Sequence, residues 1–172
     1  MNEKGVNQLV IAVFMFVLSV IIVFSIAFLA LPYFEKLNDV RDFEHAKDLV
    51  TEINSVITDV ADLSVGSSKS VSFELRNGFI DINSDTDSIT LKQHVSSEII
   101  DENYSAVVGR IFYSRSGNQL SIGLNFTGSD INILTDSNLM VFSGQHVLFA
   151  DYNSFSGGIK TIKIRVQKPS YS

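Results

Sequence analysis

A chain of 172 residues with a net charge of −6 has room for one core of about a hundred residues once its N-terminal apolar segment is set aside. Outside one local group near the end of the chain its Lys and Arg residues are scattered, and with the acidic balance this argues against a nucleic-acid binder, whose phosphate contacts need a clustered basic face. Cysteine is absent, so a disulfide framework, a thiolate metal site and a cysteine nucleophile are excluded as well.

The first element is an unbroken apolar run from Leu9 to Leu31 behind a short polar leader, Met1 to Gln8. The run carries no charge, and its only hydroxyls are Ser19 and Ser25. As a helix it rises about 35 Å, enough to cross a bilayer core of about 30 Å. It is too long for the core of an ordinary secretory signal. It also ends in Ala30, Leu31, Pro32, Tyr33 and Phe34 rather than in small residues suited to cleavage, so the anchor is expected to be retained.

From Phe34 to Leu63 the apolar positions fall into helical spacing: Leu37, Val40, Phe43, Ala46, Leu49 or Val50, Ile53, Val56 or Ile57, Val60 and Leu63. The residues between them are charged and mainly acidic, predicting a solvated opposite face. Pro32 sits at the join, where it removes a backbone donor and either bends one helix or separates two. The Gly-Ser stretch from Ser64 to Ser70 is expected to stop the helix.

Strands follow. Val71, Phe73 and Leu75 alternate with polar residues, and Asn77-Gly78 then reads as a hairpin leading into Phe79 to Asn83. Further runs of period two are Ser88 to Val95, Ala106 to Tyr113, Gln119 to Phe126, Asn138 to Phe142, Val147 to Tyr152 and Lys160 to Gln167. Short strands separated by polar turns predict an antiparallel β-sandwich, making the chain α+β. In the last run Ile162, Ile164 and Val166 are expected to face inward. The basic group Lys160, Lys163, Arg165 and Lys168 is read as part of the solvated outer face, the alternative being contact with an acidic partner such as a neighbouring subunit's helix.

The N-terminal residues Lys4-Gly5-Val6, then Asn7-Gln8 and Leu9-Val10-Ile11-Ala12-Val13, resemble the start of archaeal type IV pilin-like proteins, the pilins and archaellins with class III signal peptides. The resemblance is specific over about the first thirty residues. It implies cleavage between Gly5 and Val6 on the cytoplasmic side, by a membrane-embedded prepilin peptidase, leaving the apolar helix on the mature protein. It implies residues 1–5 as leader, 6–31 as transmembrane and assembly helix, 32–63 as amphipathic extension and 64–172 as an extracytoplasmic β-sandwich head. The partners implied are the membrane, like subunits, and a separate secretion ATPase with its platform protein. Bacterial type IV pilins usually carry Glu at the fifth mature position, where this chain has Val10, so the archaeal branch fits better. The implied localisation is the cell membrane, single-pass with the C-terminal domain outside, or the cell surface when assembled in a filament. The alternative is an uncleaved anchor presenting an extracytoplasmic binding module, like the archaellum's accessory proteins that contact the surface layer.

No catalytic set is visible, no cofactor is called for, and an enzyme is not expected. His45, His94 and His146 have no paired spacing, and neither a G-x-S-x-G elbow nor a Walker A loop occurs. Asp81, Asn83, Asp85 and Asp87 alternate as in a calcium loop. Thr86 and Lys92 stand where its Gly and bidentate Glu belong, so a polar turn is the expectation. Two sequons, at Asn103 and Asn125, are candidates for glycosylation.

Overall fold

The computed structural model describes residues 3–95, 104–136 and 139–169, with side chains from Val10 onward. Helix α1 runs from Glu3 to Ala61, and eight strands follow it: β1 (Ser68–Asn83), β2 (Ser88–His94), β3 (Ser105–Val108), β4 (Ile111–Ser116), β5 (Gln119–Asn125), β6 (Ile131–Leu134), β7 (Leu139–Ser156) and β8 (Ile159–Gln167). The chain is α+β, a helix and then a β domain. It divides into two compact units at 38/39, so that residues 39–61 of the helix belong with the sheet. That boundary lies inside the expected extension 32–63. The helix also passes through Pro32 without a break.

In the second unit the helical stripe meets the strands. Ala46, Leu49, Val50, Ile53, Ile57, Val60 and Ala61 are buried in one cluster with Val71, Leu75, Ile80, Ile82, Leu91, Ile122, Leu148 and Ile164. Each large aliphatic side chain withdrawn from water in this way contributes about 1.5–3 kcal/mol. The stripe is shorter than its spacing implies, because Leu37, Val40 and Leu63 are exposed and burial begins at the half-buried Phe43, whose ring lies 6.3 Å from that of Tyr113. The helix closes by tightening: the Leu63 amide donates to the Val60 carbonyl, and Gly66 then takes a positive φ of 92° while its amide donates to the Tyr152 carbonyl.

Hydrogen bonding joins all eight strands in one sheet, in the order β3-β4-β5-β2-β1-β7-β8-β6, antiparallel except for β6 beside β8. The sheet curls until its halves face each other, which is how a single sheet takes on a sandwich-like arrangement. The β6 edge reaches the β1–β2 turn across the fold: the Ile133 amide donates to Asp87 Oδ1 at 2.9 Å, although β8, β7 and β1 lie between β6 and β2 in the sheet.

The bend corrects the hairpin expected at Asn77-Gly78. Both arms of that segment pair with β7 rather than with each other, Leu75 opposite Gly144 and Phe79 opposite Phe142, so β1 spends two more residues than β7 in passing the corner. Gly78 has a φ of 87°, and a Cβ there would collide with the backbone of Lys92. The Asn-Gly preference for left-handed backbone serves a strand corner as well as a hairpin. Three other bounds differ: the run Ala106–Tyr113 is cut by a turn at Gly109-Arg110 into β3 and β4, the runs near Phe142 and Val147 merge into β7, and β6 was not foreseen.

Candidate functional site: the exposed apolar helix

From Val10 to Phe34 α1 is apolar around its whole circumference, and its large side chains are all exposed, Phe24 at 72 % and Phe28 at 77 %. No charged residue interrupts it before Glu35. This is one helical segment long and apolar enough to cross a membrane. Its two hydroxyls are satisfied within the helix, Ser19 Oγ donating to the Met15 carbonyl and Ser25 Oγ to the Ile21 carbonyl, each at 2.8 Å. A helix in hydrocarbon needs that self-sufficiency. Gly5 and Val6 lie in the first turns of α1.

The glycosylation candidates separate. Asn103 lies outside the described residues. Asn125 is exposed at the end of β5, where its Oδ1 accepts from the Thr127 amide at 2.8 Å and Thr127 Oγ1 donates to the Thr86 carbonyl. That Asx turn uses the carbonyl side of the Asn125 amide and leaves Nδ2, the atom a glycan would occupy, to the solvent.

The other sequence candidates fall into structural roles. Asn83 Oδ1 accepts the amides of Asp85 and Thr86, Asp87 has a φ of 47° and holds β6, and Asp81 lies 3.4 Å from Lys92. The oxygens of Asn83, Asp87 and Asp81 thus meet the chain's own donors, as in a polar turn. The histidines do not meet: His45 is half-buried on α1, His94 is exposed at the end of β2, and His146 is buried at the sheet's bend. The His146 Nε2 lies 2.8 Å from the Phe142 carbonyl, and its ring is 5.6 Å from that of Phe73. Among the described residues no three His, Asp or Glu side chains are grouped to hold a metal.

Strand β8 is oriented as expected, with Ile162 and Ile164 buried. Its cations find acids within the same chain: Lys160 reaches Asp62 and Asp130 at 3.4 and 3.5 Å, Lys163 reaches Asp136 at 2.7 Å, and Arg165 reaches Asp151 at 2.7 Å. The Arg165 guanidinium, with the Ser68 hydroxyl adding a donor, holds the Asp151 carboxyl below its ordinary range against the opposing effect of burial. Lys168 alone of the basic group has no acidic partner among the described residues. What sequence reasoning missed is the exposed apolar surface of the β domain: Val107 and Val108 on β3, Met140 and Phe142 at the bend, and Phe155 and Ile159 flanking the β7–β8 turn. The signal for the first of these was present in the Gly109-Arg110 turn that ends β3.

Comparison with protein-family models, curated proteins and solved structures gives no match for this chain.

Proposed function

We propose that this chain is a noncatalytic structural subunit of the archaeal type IV pilin-like kind, held in the membrane by the apolar part of α1 and assembled through it into an extracellular filament. The observation that carries the reading is the contrast within α1. Its C-terminal part buries an apolar stripe against its own sheet, while residues 10–34 expose an apolar surface on every side. A surface of that extent must be covered, by lipid before assembly and by neighbouring helices after it. The β domain would be displayed outside the cell as the contact-making head, with Asn125 open to glycosylation. Cleavage between Gly5 and Val6 would leave the whole apolar segment on the mature subunit.

Peptide mass spectrometry of the native protein's N-terminus tests this. A mature chain beginning at Val6, recovered from membrane and filament fractions, is the expected result. An intact Met1 in both fractions, or no incorporation into any filament, overturns the pilin reading.

A further inference from the structure

Among the described residues the two terminal strands of the sheet are treated differently. At the β6 edge the Ile131 amide donates to Ser129 Oγ and the Ile133 amide to Asp87 Oδ1, so that its outer donors are occupied. At the β3 edge nothing comparable is found among the described residues. Strand β3 is Ser105-Ala106-Val107-Val108, without a charge, a proline or a bulge, the usual means of protecting an edge. Val107 and Val108, on opposite faces of the strand, are 71 % and 67 % exposed.

The direction of its remaining backbone groups follows from its pairing with β4. The Arg115 amide donates to the Tyr104 carbonyl, and the register sets Ala106 opposite Tyr113 and Val108 opposite Ile111. Hydrogen-bonded pairs alternate in an antiparallel ladder, so residues 104, 106 and 108 spend their backbone groups on β4. The N–H and C=O of Ser105 and Val107 therefore point away from the sheet. Two donors and two acceptors in a row along an extended strand are complementary to another extended strand.

We propose that β3 pairs antiparallel with β3 of a second copy of this chain, about a two-fold axis at Ala106, with Ser105 of each copy opposite Val107 of the other. The self-pairing is favoured by the strand's own chemistry. Under that two-fold each outward N–H meets an outward C=O, and no like charges oppose one another, since Ser105 to Val108 carry none. Arg110, the nearest charge in the hairpin, is turned to Asp130 at 3.6 Å. Because the β6 edge is capped, the contact closes on itself as a dimer instead of propagating as a fibre. The inference stands apart from the filament reading, for it requires only that two β domains meet.

The natural absence of cysteine makes the test direct. At the two-fold, Ala106 faces Ala106 of the second copy in a non-hydrogen-bonded pair with Cα atoms about 4.5 Å apart, within disulfide reach. The full chain in detergent micelles carrying Ala106→Cys should form a disulfide-linked dimer under mild oxidation. Phe155→Cys, 57 % exposed beside the β7–β8 turn, should remain largely monomeric as the collision control. Adding Val107→Pro to Ala106→Cys removes an outward N–H that the β3–β4 ladder does not use. Two symmetry-related hydrogen bonds are lost together, and association should weaken about tenfold with thermal unfolding unchanged. Should Ala106→Cys fail to fold, mixing Ser105→Cys with Val107→Cys chains reads the same register as a mixed dimer. Cross-linking no faster than the Phe155→Cys control, or a yield that Val107→Pro leaves unchanged, overturns the proposal and assigns the edge to another occupant.

Discussion

Two stretches of one helix, residues 10–34 and 43–61, are both rich in aliphatic side chains, yet one exposes them on all sides and the other hides them along a single face. In the second, Ile53, Ile57 and Val60 are at most 1 % exposed, while Glu52, Ser55 and Asp59 on the other face remain in water. The difference lies in arrangement more than in amount. A stripe with a polar back can be satisfied by one sheet, whereas a cylinder that is apolar all round can be satisfied only by an apolar surrounding medium or by several other helices. The spacing of apolar residues therefore indicates the kind of partner, and the striped half finds its partner in the sheet that follows it.

The largest effect expected from breaking this contrast comes from a carboxylate placed in the striped half. Ile57 is wholly buried, and Ile57→Asp should unfold the β domain, since an unpaired buried charge costs more than a typical margin of about 5–15 kcal/mol can tolerate alongside the lost packing. Near-ultraviolet circular dichroism of the tyrosines, including the buried Tyr152, reads it out. The milder Ile57→Ala should cost about 2–5 kcal/mol in denaturant titration. The same chemical change in the other half should have the opposite distribution of effects. Val20→Asp or Val13→Asp, at about 2.5–3.5 kcal/mol per carboxylate in a membrane helix, should impair insertion and leave the β domain's unfolding transition in place. Recovery of Val20→Asp in the membrane at wild-type level would show that these residues are not the anchor.

How much of this was legible beforehand differs between the two halves and the sheet. The apolar run and the stripe from Ala46 to Val60 could be read because helical periodicity is local, and the inward alternation of β8 is local too. The corner at Gly78 could not, because an Asn-Gly pair has the same conformational freedom whether the chain reverses or merely bends, and the choice is made by β7, far along the sequence. The acids that neutralise β8 were hidden for the same reason, Lys160 and Asp62 being 98 residues apart. Of the candidate sites, the sequon at Asn125 was visible as a motif, whereas its Asx turn and the outward backbone groups of β3 depend on which strand ends where.

A smaller perturbation at the join sharpens the comparison. Pro32 lies inside α1, where a helix interior gives up one hydrogen bond and about 3 kcal/mol of local stability to a proline. Pro32→Ala should therefore slow amide exchange around Tyr33 to Glu35 in detergent micelles. It should leave the β domain's unfolding midpoint where it was, because the proline belongs to the unit ending at residue 38. A shifted midpoint would mean that the two parts of the helix are energetically coupled across the join.

The smallest expected effect is electrostatic and lies where the chain leaves the striped half of the helix. Asp151 accepts from Arg165 and from Ser68, the first residue of β1, so its carboxylate secures the strand that follows α1. Its carboxyl titrates below the ordinary 3.8 because the charged form is the one hydrogen-bonded by the guanidinium. A group whose folded value is depressed contributes stability that is fully present above the unfolded value and disappears as pH falls through the folded one. Wild-type stability should thus decline below pH 3.8 partly through this group, and Asp151→Asn should be flatter over that range. Arg165 is 42 % exposed and Asp151 23 %, so solvent screening limits the difference to under about 1 kcal/mol at neutral pH. Denaturant midpoints of the two proteins across that range, at low and high salt, measure it directly. A loss of several kcal/mol in Asp151→Asn at neutral pH would show that the start of β1 depends on this carboxylate far more than on the burial of Val71 and Leu75, and that the apolar stripe alone does not hold the helix to its sheet.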